Sequence, residues 1–456
     1  MSASQSQTTS RRPRVIVVGG GFGGLRVVRA LRSADADVLL LDRRNHHVFQ
    51  PMLYQVATAA LSPATISAPL RKMFESQRNC EVLMAEVEEV DLQRQAVRLR
   101  DGVEYGYDWL VLAAGSVPNY FGNNDWKKLA PGLKDLDDAI NIRRRFLLAF
   151  EQAEMEADEQ SRLEALTFVI VGGGPTGVEV AGALAEIARH TLRRSFRHFD
   201  TNVARVILID PGDNVLKAFP DALADRARRD LEKMGVEIKL GARVTAIGEH
   251  DVTLRYKADG REETLGANNV IWAAGVEASP VAQNVGRSLG GEKTHGGRIP
   301  VQPDLTLPGH PNVFVVGDAA QHVHPETGKE TPGVAQGAMQ MGDYAGRAIA
   351  DAIRSGGDAS ARQPFSYLDK GSLATIGRGR AVAALPHAQA SGLGAWLLWA
   401  IVHIFYLVGF RNRIAAMAEY AWMYFFWERG VRLITGENVL PKAIRPTPDP
   451  FARKGQ

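Results

Sequence analysis

Two glycine-rich segments of the form G-x-G-x-x-G carry the clearest chemical signal in this chain, at Gly19/Gly21/Gly24 and Gly172/Gly174/Gly177. Each follows a short apolar run and precedes a segment of helical character. Glycines at this spacing permit a tight turn from strand to helix, and they let backbone N–H groups approach a pyrophosphate at the helix N-terminus. The two segments, called here the first and second fingerprints, predict two bound dinucleotides. The alternative is a pair of glycine-rich turns that bind no ligand.

An acidic residue ends a later apolar run after each fingerprint. Asp42 follows Leu39-Leu40-Leu41, near the spacing of about 20 residues expected for a carboxylate that binds a ribose diol. Asp210 comes after a longer interval, which requires a longer helix or an insertion. A carboxylate there favours the free 2′-OH of NADH and repels the 2′-phosphate of NADPH. Since Pro211-Gly212-Asp213 supplies no arginine for that phosphate, the sequence favours NADH.

Composition narrows the class of protein. The 456 residues are 45% hydrophobic and 23% charged, which is ordinary for a globular protein of two or three domains. The net charge of +3 indicates no general basic face for nucleic acid. Cys80 is the single cysteine, which excludes an intramolecular disulfide, a Cys-x-x-Cys redox pair and a cysteine metal cluster. His46-His47 and His322-x-His324 are better explained as ordinary polar histidines, so we expect no metal.

The elements that must position these residues form a coarse internal duplication. Apolar runs predict strands at 14–18, 38–41, 80–85 and 109–113, and again at 205–209, 237–240 and 270–273. A connecting helix is expected over 136–166, and the buried-strand run 313–316 must return to the first sheet. We therefore predict an α/β fold with two Rossmann-like domains and a C-terminal helical membrane-anchoring region. The expected divisions are a disordered tail (1–13), a first domain (14–119 plus 299–385), a second domain (120–298), membrane-associating helices (386–440) and a basic Pro-rich tail (441–456).

The combined motifs resemble a known family. The two fingerprints, the turns Ala113-Ala114-Gly115 and Ala273-Ala274-Gly275, and the late Gly317-Asp318 resemble the two-dinucleotide flavoprotein reductases. Within them, Phe49-Gln50-Pro51-Met52-Leu53-Tyr54-Gln55-Val56-Ala57 and Ala335-Gln336-Gly337-Ala338-Met339-Gln340 are similar to type II NADH:quinone oxidoreductases. The likeness covers roughly residues 14–440. It implies transfer of two electrons from NADH to a membrane quinone through FAD, without proton pumping.

The resemblance also assigns binding residues. FAD is expected against Gly19, Gly21, Phe22, Gly23, Gly24, Asp42, Ala114, Gly115, Asp318, Val334 and Ala335. NADH is expected against Gly172, Gly174, Pro175, Thr176, Gly177, Asp210, Ala274 and Gly275. The helix that begins near Thr331-Pro332-Gly333 would stabilise negative charge on the reduced flavin through its N-terminus.

The residues expected at the quinone are Gln50, Gln55, Gln336, Gln340 and Lys370. Gln336 and Gln340 are four apart and share a helix face, so they could meet quinone carbonyls, or they could form a polar stripe on a solvated helix. Lys370 is equally well explained as a surface lysine. Glu179 is a further catalytic candidate: the resemblance puts it near the nicotinamide and flavin, whereas an acidic residue in a first helical turn is also favoured by the helix dipole.

The C-terminal aromatic segment decides between two functions. Residues 395–410 carry no formal charge and are followed by Arg411 and Arg413, and a second aromatic cluster covers 420–427. This run is marginal for crossing a bilayer, so we expect helices lying on the membrane, with a buried interface or a spanning hairpin as alternatives. The expected enzyme is a homodimer on the cytoplasmic face of the inner membrane. A soluble NADH-dependent ferredoxin or rubredoxin reductase of the same fold is the alternative function.

Overall fold

The structure is a computed structural model that describes residues 11–290, 295–356, 362–426 and 429–436. The chain divides into two compact units, each made of three stretches of sequence. The first unit contains Met1–His47, Ala68–Val117 and Val276–Leu368, and the second contains Val48–Ser67, Pro118–Gly275 and Asp369–Gln456. Most of the expected N-terminal tail (1–13) and all of the expected basic tail (441–456) lie outside the described residues.

The division differs from the domain bounds expected from sequence. Residues 48–67 belong to the second unit, and the chain returns to the first unit at Val276 and leaves it again after Leu368. The short helix Leu53–Ala57 packs on the long helix Leu136–Met155 of the second unit. Since Leu53–Ala57 is only five residues long, its sequence shows no periodicity that would assign it to either unit.

A six-stranded sheet forms the centre of the first unit. Its strand order is Thr306–Leu307, His310–Val315, Trp109–Leu112, Arg14–Val18, Asp37–Asp42 and Cys80–Met84. The strand His310–Val315 pairs in parallel with Trp109–Leu112, with Val313 opposite Leu110, which confirms the expected return of the chain to the first sheet. Val15 and Val17 are fully buried, as expected for a parallel sheet covered on both faces.

Two helices of the first unit pack closely against each other. Phe22–Ala30 follows the first fingerprint, and Ala335–Arg354 crosses it. A Cβ atom on Gly342 would overlap the backbone of Gly23, so glycine permits the close approach at this crossing. The remaining elements near this unit are the helices Leu70–Phe74 and Pro280–Ser288 and the short strands His46–Val48, Ser67–Pro69, Val87–Asp91, Ala96–Leu99, Glu104–Gly106, Ser116–Pro118, Val276–Ala278, Ile299–Pro300 and Ala320–Gln321.

A four-stranded parallel sheet forms the centre of the second unit. Its order is Val236–Leu240, Arg205–Asp210, Thr167–Val171 and Asn269–Trp272. A three-stranded antiparallel sheet follows Val236–Leu240 and precedes Asn269–Trp272 along the chain; its strands are Ala242–Ile247, Asp251–Tyr256 and Glu262–Gly266. The helices are Trp126–Leu129, Leu136–Met155, Glu159–Ala165, Pro175–Glu186 and Asp221–Lys233.

The connecting segment differs from the single helix expected over 136–166. It consists of two helices, Leu136–Met155 and Glu159–Ala165. Asp158 precedes the second helix, and its side chain accepts a hydrogen bond from the backbone N–H of Ser161. An aspartate at this position caps a new helix N-terminus, and the helix therefore restarts instead of continuing.

The C-terminal part of the second unit contains a three-stranded antiparallel sheet and two helices. The strands are Ser372–Gly377, Arg380–Leu385 and Ala388–Ser391, so the first residues of the expected helical region (386–440) form a strand. The helices Leu393–Tyr406 and Phe410–Phe426, called here the anchor helices, follow. In the described residues, neither these helices nor any other combines the length and apolar character needed to cross a membrane.

Candidate functional site

The first fingerprint forms a tight turn that only glycine permits. Gly19 has a φ of +106°, and a Cβ atom there would collide with the carbonyl of Ala113. A Cβ atom on Gly24 would in turn collide with the carbonyl of Gly19. At Gly21 a Cβ atom would meet nothing within 4 Å, and this glycine precedes a helix that has no side-chain cap. The turn therefore leaves open space beside uncapped N–H groups, as a pyrophosphate requires.

Asp42 holds the fingerprint turn by hydrogen bonds. Its Oδ2 accepts from the N–H of Gly20 at 2.6 Å, and its Oδ1 accepts from the N–H of Arg44 at 2.7 Å. Each carboxylate oxygen has a second lone pair, so the same group can still accept from a ribose hydroxyl. The strand Trp109–Leu112, which pairs with Arg14–Val18, leads into Ala114 and Gly115, and Gly115 has a φ of +64°.

Phe22 and Gly23 begin the helix after this turn. The Phe22 ring meets the ring of His47 edge-on, with centroids 5.0 Å apart, and a Cβ atom on Gly23 would lie 3.0 Å from the side chain of Val316. His47 is 2% exposed, and its Nδ1 lies 3.1 Å from the carbonyl oxygen of Gly20. Burial lowers the pKa of His47 to about 4, so this ring is neutral at physiological pH.

Asp318 lies just beyond the returning strand, in the same unit as the first fingerprint. The preceding Gly317 has a φ of +71°, and Oδ2 of Asp318 accepts a hydrogen bond from the hydroxyl of Ser116 at 2.5 Å. Val334 occupies the N-cap of the helix that begins at Ala335, and no side chain caps that helix. A helix N-terminus without a side-chain cap is favourable for an anion.

The second fingerprint repeats the geometry of the first. Gly172 has a φ of +112° and has no room for a Cβ atom beside the carbonyl of Ala273, and Gly177 is closed off by the carbonyl of Gly172. Gly174 again borders open space, and it precedes the helix Pro175–Glu186, which starts with Pro175 and Thr176. The second unit therefore offers an equivalent pyrophosphate site.

Asp210 has the same role in the second unit that Asp42 has in the first. Its Oδ2 accepts from the N–H of Gly173 and its Oδ1 from the N–H of Gly212, both at 2.7 Å. Ala274 and Gly275 follow the strand Asn269–Trp272, and Gly275 has a φ of +130°. The longer interval before Asp210 is filled by an insertion over 187–204, as the sequence required.

An aromatic pocket lies within the second unit. Its walls come from the helix after the second fingerprint, the segment around Tyr54, the strand Ser372–Gly377 and both anchor helices; its lining includes Tyr54, Gln55, Thr58, Glu179, Glu186, Thr375, Arg378, Trp396, Trp399, Tyr420, Tyr424 and Arg429. Of the residues expected at the quinone or in catalysis, the pocket brings together Gln55 and Glu179.

Glu179 is one of the two carboxyl groups in this lining. Burial raises its pKa well above the ordinary value, and the backbone N–H of Thr375 opposes that shift only in part. The helix starts at Pro175 with no acidic residue in its first turn, so the helix-dipole explanation for Glu179 is wrong. The carboxyl group therefore keeps its proton at a higher pH than a solvated glutamate does.

Gln55 connects two buried tyrosines. The hydroxyl of Tyr420 donates to Oε1 of Gln55 at 2.6 Å, and Nε2 of Gln55 donates to the hydroxyl oxygen of Tyr54 at 2.8 Å. Burial raises the pKa of Tyr54 and of Tyr420, so both hydroxyls remain protonated. Because Tyr54 accepts from Gln55, its own O–H points elsewhere and is available as a donor. Gln55 therefore positions Tyr54, and it does not present a free amide.

Trp399 lines the pocket with a buried indole. The residue is 1% exposed, and its indole Nε1 has no hydrogen-bond partner within the described part of the chain. Its ring stacks on His403 with centroids 4.2 Å apart and meets Tyr54 edge-on. A buried N–H of this kind costs free energy unless it has a partner, such as a ligand oxygen.

Arg429 closes one side of the pocket. Its NH1 donates to the carbonyl of Thr58 at 2.8 Å, and its NH2 lies 3.4 Å from Oε2 of Glu186. Oε1 of Glu186 accepts from the N–H of Arg378 at 2.6 Å. Burial lowers the pKa of Arg429, whereas the Glu186 carboxylate raises it. The segment after the second anchor helix is thus tied to the helix of the second fingerprint.

The other residues expected at the quinone lie in different surroundings. Gln336 and Gln340 belong to the first unit, where the Gln340 amide both donates to the carbonyl and accepts from the N–H of Leu368, each at 2.9 Å. Both polar atoms of the Gln340 side chain are therefore bonded to the backbone of Leu368. In the second unit, Gln50 donates to the carbonyl of Lys134, and Nζ of Lys370 lies 3.5 Å from the hydroxyl of Tyr406.

The anchor helices expose a continuous apolar surface. Leu393, Leu397, Ile401 and Phe405 are four apart on the first helix and are 48–67% exposed. Residues four apart share a helix face, so they form one stripe along the whole helix. The second helix exposes Phe410, Ile414, Met417, Trp422, Phe425 and Phe426. A stripe of this length suits a helix that lies in the headgroup region.

The pocket residues that were not singled out from the sequence include Tyr54, Trp399, Tyr420 and Arg429. Tyr54 stands beside Gln55 in the motif, but the polarity of their hydrogen bond required coordinates. The aromatic run predicts helices lying on the membrane, with a buried interface or a spanning hairpin as alternatives, and without a division into buried and exposed faces. Helical periodicity would have separated buried Trp399 from the exposed Leu397 and Ile401 two positions away on either side.

Comparison with known proteins first establishes the class. Residues 13–342 match the family model for pyridine nucleotide-disulphide oxidoreductase, and residues 370–427 match the model named NDH2 C-terminal domain. The chain is 42% identical over 447 residues to the type II NADH:quinone oxidoreductase Ndh of Mycobacterium tuberculosis, covering 97% of this chain and 95% of that protein. It is also 42% identical to NdhA of the same organism over 448 residues, with 97% and 94% coverage. The chain belongs to the type II NADH:quinone oxidoreductase family.

A solved structure supports the fold. NDH2 of Plasmodium falciparum in complex with NADH superposes with a TM-score of 0.83 over 93% of this chain and 100% of that chain, at 20% identity. The predicted α/β fold with two Rossmann-like domains and a helical C-terminal region is confirmed.

Proposed function

We propose that this protein is an FAD-dependent enzyme that transfers two electrons from NADH to a membrane quinone, without pumping protons. One observation carries the proposal: the helix Pro175–Glu186, which opens at the second fingerprint, also contributes Glu179 and Glu186 to the aromatic pocket. A nucleotide site and an aromatic pocket therefore share one rigid element within the second unit.

The first unit fits FAD. The open space at Gly21, the uncapped helix behind it and the carboxylates of Asp42 and Asp318 match a pyrophosphate, a ribose and a ribityl chain. FAD, when bound, supplies two-electron transfer between a nicotinamide and a quinone. The N-terminus of the helix that begins at Ala335 would stabilise negative charge on that group.

The second unit fits NADH. Gly174 leaves room for the pyrophosphate at the start of its helix, and Asp210 offers acceptors to the ribose 2′-OH. The same carboxylate repels a 2′-phosphate, which supports a preference for NADH over NADPH.

The aromatic pocket fits a quinone headgroup. A quinone has two carbonyl oxygens that need donors and a flat ring that needs apolar surroundings. Tyr54 supplies an O–H, and the neighbouring rings of Trp399, Tyr420 and Tyr424 supply apolar surface. Glu179 holds a proton at the same pocket because burial raises its pKa, so it can deliver that proton when quinone oxygens become negative.

The anchor helices fit a membrane surface. Their exposed apolar stripe would be unfavourable in water over such an area, and a lipid interface would cover it. A soluble ferredoxin or rubredoxin reductase would not need this stripe, which disfavours that alternative. We further propose a homodimer on the cytoplasmic face of the inner membrane, on the resemblance to the bacterial enzymes.

The stripe and part of the pocket lie on the same helices, so the test must change the stripe and leave the pocket intact. Replacing Leu397, Ile401 and Phe405 with Gln changes exposed residues and leaves buried Trp399 in place. The matched control replaces Met84, Val103 and Val323 with Gln; these residues are exposed elsewhere in the chain. We expect the first variant to lose vesicle binding and long-chain quinone reduction while NADH-driven ferricyanide reduction persists, and the control to keep all three. Full quinone reduction by the stripe variant would overturn the membrane proposal.

Flavin chemistry is tested independently of the membrane. Stopped-flow mixing of the purified protein with NADH should bleach the flavin absorbance, and addition of quinone should restore it. A protein that carries no flavin, or whose flavin is not bleached by NADH, would contradict the enzymatic proposal.

A further inference from the structure

An arginine-rich insertion interrupts the second unit between the helix Pro175–Glu186 and the strand Arg205–Asp210. It covers residues 187–204 and contains a π-helical turn, Ile187–Thr191, and a 3₁₀ turn, Thr201–Val203. This insertion, called here the Arg-rich insertion, is the extra length that separates the second fingerprint from Asp210. Neither the dinucleotide sites nor the pocket explains its composition.

The insertion is held in place by contacts with the helix Leu136–Met155. The rings of Phe196 and Phe199 lie 5.7 and 6.4 Å from the ring of Phe150 on the connecting helix. The backbone N–H groups of Arg197 and His198 donate to the carboxylate of Glu154 at 2.9 and 3.1 Å. Since aromatic anchors and backbone bonds fix this segment, the side chains that point outward have a defined direction.

Those outward side chains are cationic. Arg193, Arg194 and Arg197 are exposed, and no acidic group in the described part of the chain forms an ion pair with any of them. Two acidic residues lie beside the segment: Glu154, which is bonded to backbone N–H groups and to His198, and Asp200, whose pKa is lowered by hydrogen bonds from Asn202 and, to a smaller extent, by the charge of Arg193. They are outnumbered by the three exposed arginines. The insertion therefore keeps an excess of positive charge.

The insertion contacts the segment that follows the second anchor helix. Oγ of Ser195 accepts a hydrogen bond from NH1 of Arg432 at 3.3 Å, and Thr191 lines the same pocket as Tyr424. The guanidinium of Arg378 lies over the Tyr424 ring at 4.5 Å, which adds a further cation at this point. The same helix end exposes Trp422, Phe425 and Phe426. Arg378 therefore lies at this end of the second anchor helix, and the segment that follows the helix contacts the Arg-rich insertion through Arg432.

We propose that the Arg-rich insertion binds anionic phospholipid headgroups and so selects anionic membranes. This inference rests on the proposed membrane association. Aromatic residues enter the headgroup boundary, and guanidinium groups beside them pair with lipid phosphates. A lipid surface fits better than a free anion, because the arginines are spread along an exposed segment next to an apolar stripe and do not enclose a pocket.

Vesicle flotation tests the inference with the full chain. The variant replaces Arg193, Arg194 and Arg197 with Gln, and the control removes three exposed cations at other places in the same unit, Lys127, Arg243 and Lys257. The vesicles are pure phosphatidylcholine, or phosphatidylcholine containing phosphatidylglycerol. Each cation near an anionic surface contributes about fivefold to binding, so the triple replacement should weaken binding to anionic vesicles on the order of 100-fold.

The expected pattern has three parts. Wild-type protein binds anionic vesicles more tightly than neutral ones, the insertion variant binds both alike, and the control variant behaves as wild type. Raised salt should remove the preference of wild-type protein, since exposed charges are screened, and soluble glycerol phosphate should not compete.

Other outcomes separate the two proposals. If wild-type protein binds neutral and anionic vesicles equally, membrane association stands and the headgroup inference is wrong. If the insertion and control variants lose binding equally, general charge explains the preference and the inference is also wrong. If wild-type protein binds no vesicle, both proposals fail. Unchanged NADH:ferricyanide activity of the insertion variant confirms that it is folded.

Discussion

Replacing Arg429 with Met should destabilise the second unit and slow quinone reduction. Arg429 and Glu186 are 11% and 15% exposed, so solvent screens their interaction only weakly. At 3.4 Å and an effective dielectric of about 20, their gross attraction is about 5 kcal/mol. Removing one partner of a buried pair costs about 3–5 kcal/mol, because the other charge is left without its partner. Glu186 keeps its bond from the N–H of Arg378, so we expect a loss near 3 kcal/mol.

A double-mutant cycle with Glu186→Gln isolates the pair. Glutamine still accepts from the N–H of Arg378, and the double variant leaves no unpaired charge. We expect a coupling free energy of about 2 kcal/mol, measured by urea unfolding followed through tryptophan fluorescence. Arg432→Met is the matched control, because Arg432 lies on the same segment but is exposed; its expected change is below about 0.5 kcal/mol.

Measurements of quinone and ferricyanide reduction test the same variants independently. Arg429 ties the segment after the anchor helices to the carbonyl of Thr58, so its loss should open the pocket wall. We expect quinone reduction to fall while NADH-driven ferricyanide reduction is kept. If Arg429→Met costs less than about 1 kcal/mol, or if the two replacements are additive, the ion pair does not hold the pocket and the reasoning is refuted.

Further predictions concern the cofactor sites and the effect of pH. Gly21→Ala should fold normally but lose flavin, whereas Gly174→Ala should keep flavin and raise the KM for NADH, because each added Cβ enters open space in one cradle only; equal effects on both ligands would contradict the division of roles. Asp210→Asn should cost about 1–3 kcal/mol of unfolding free energy and narrow the kcat/KM ratio of NADH to NADPH, since an amide can accept only one of the two backbone bonds now made by the carboxylate. The pKa of His47 is about 4 in the folded protein and 6.5 in the unfolded chain, so the stability that the neutral ring contributes is fully present above pH 6.5 and is lost as pH falls towards 4. His47→Asn should therefore reduce the pH dependence of the unfolding free energy over this range, and an unchanged slope would show that other groups control it.

Much of the fold could be predicted because its signals are local. The run Arg14–Val18 reads as a strand from its apolar residues, and the structure has a strand with the same bounds. The returning strand was expected because a run such as Val313–Val316 must be buried in a sheet. The break in the connecting segment was missed, although Asp158 and Ser161 carried the capping signal. The place of residues 48–67 in the second unit had no local signal.

The site was predicted only in part, for a physical reason. Sequence alone determined the two glycine turns and their aspartates, because positive φ angles and strand-to-helix turns restrict the residue types at single positions. Which glutamine is bonded to tyrosines and which to a backbone carbonyl depended on partners far away in the chain. The pocket itself, with Tyr54, Glu179, Trp399 and Arg429, is assembled from segments that lie far apart in the sequence. Only tertiary packing decided it, since burial and raised pKa values arise when those segments meet and not from the segments themselves.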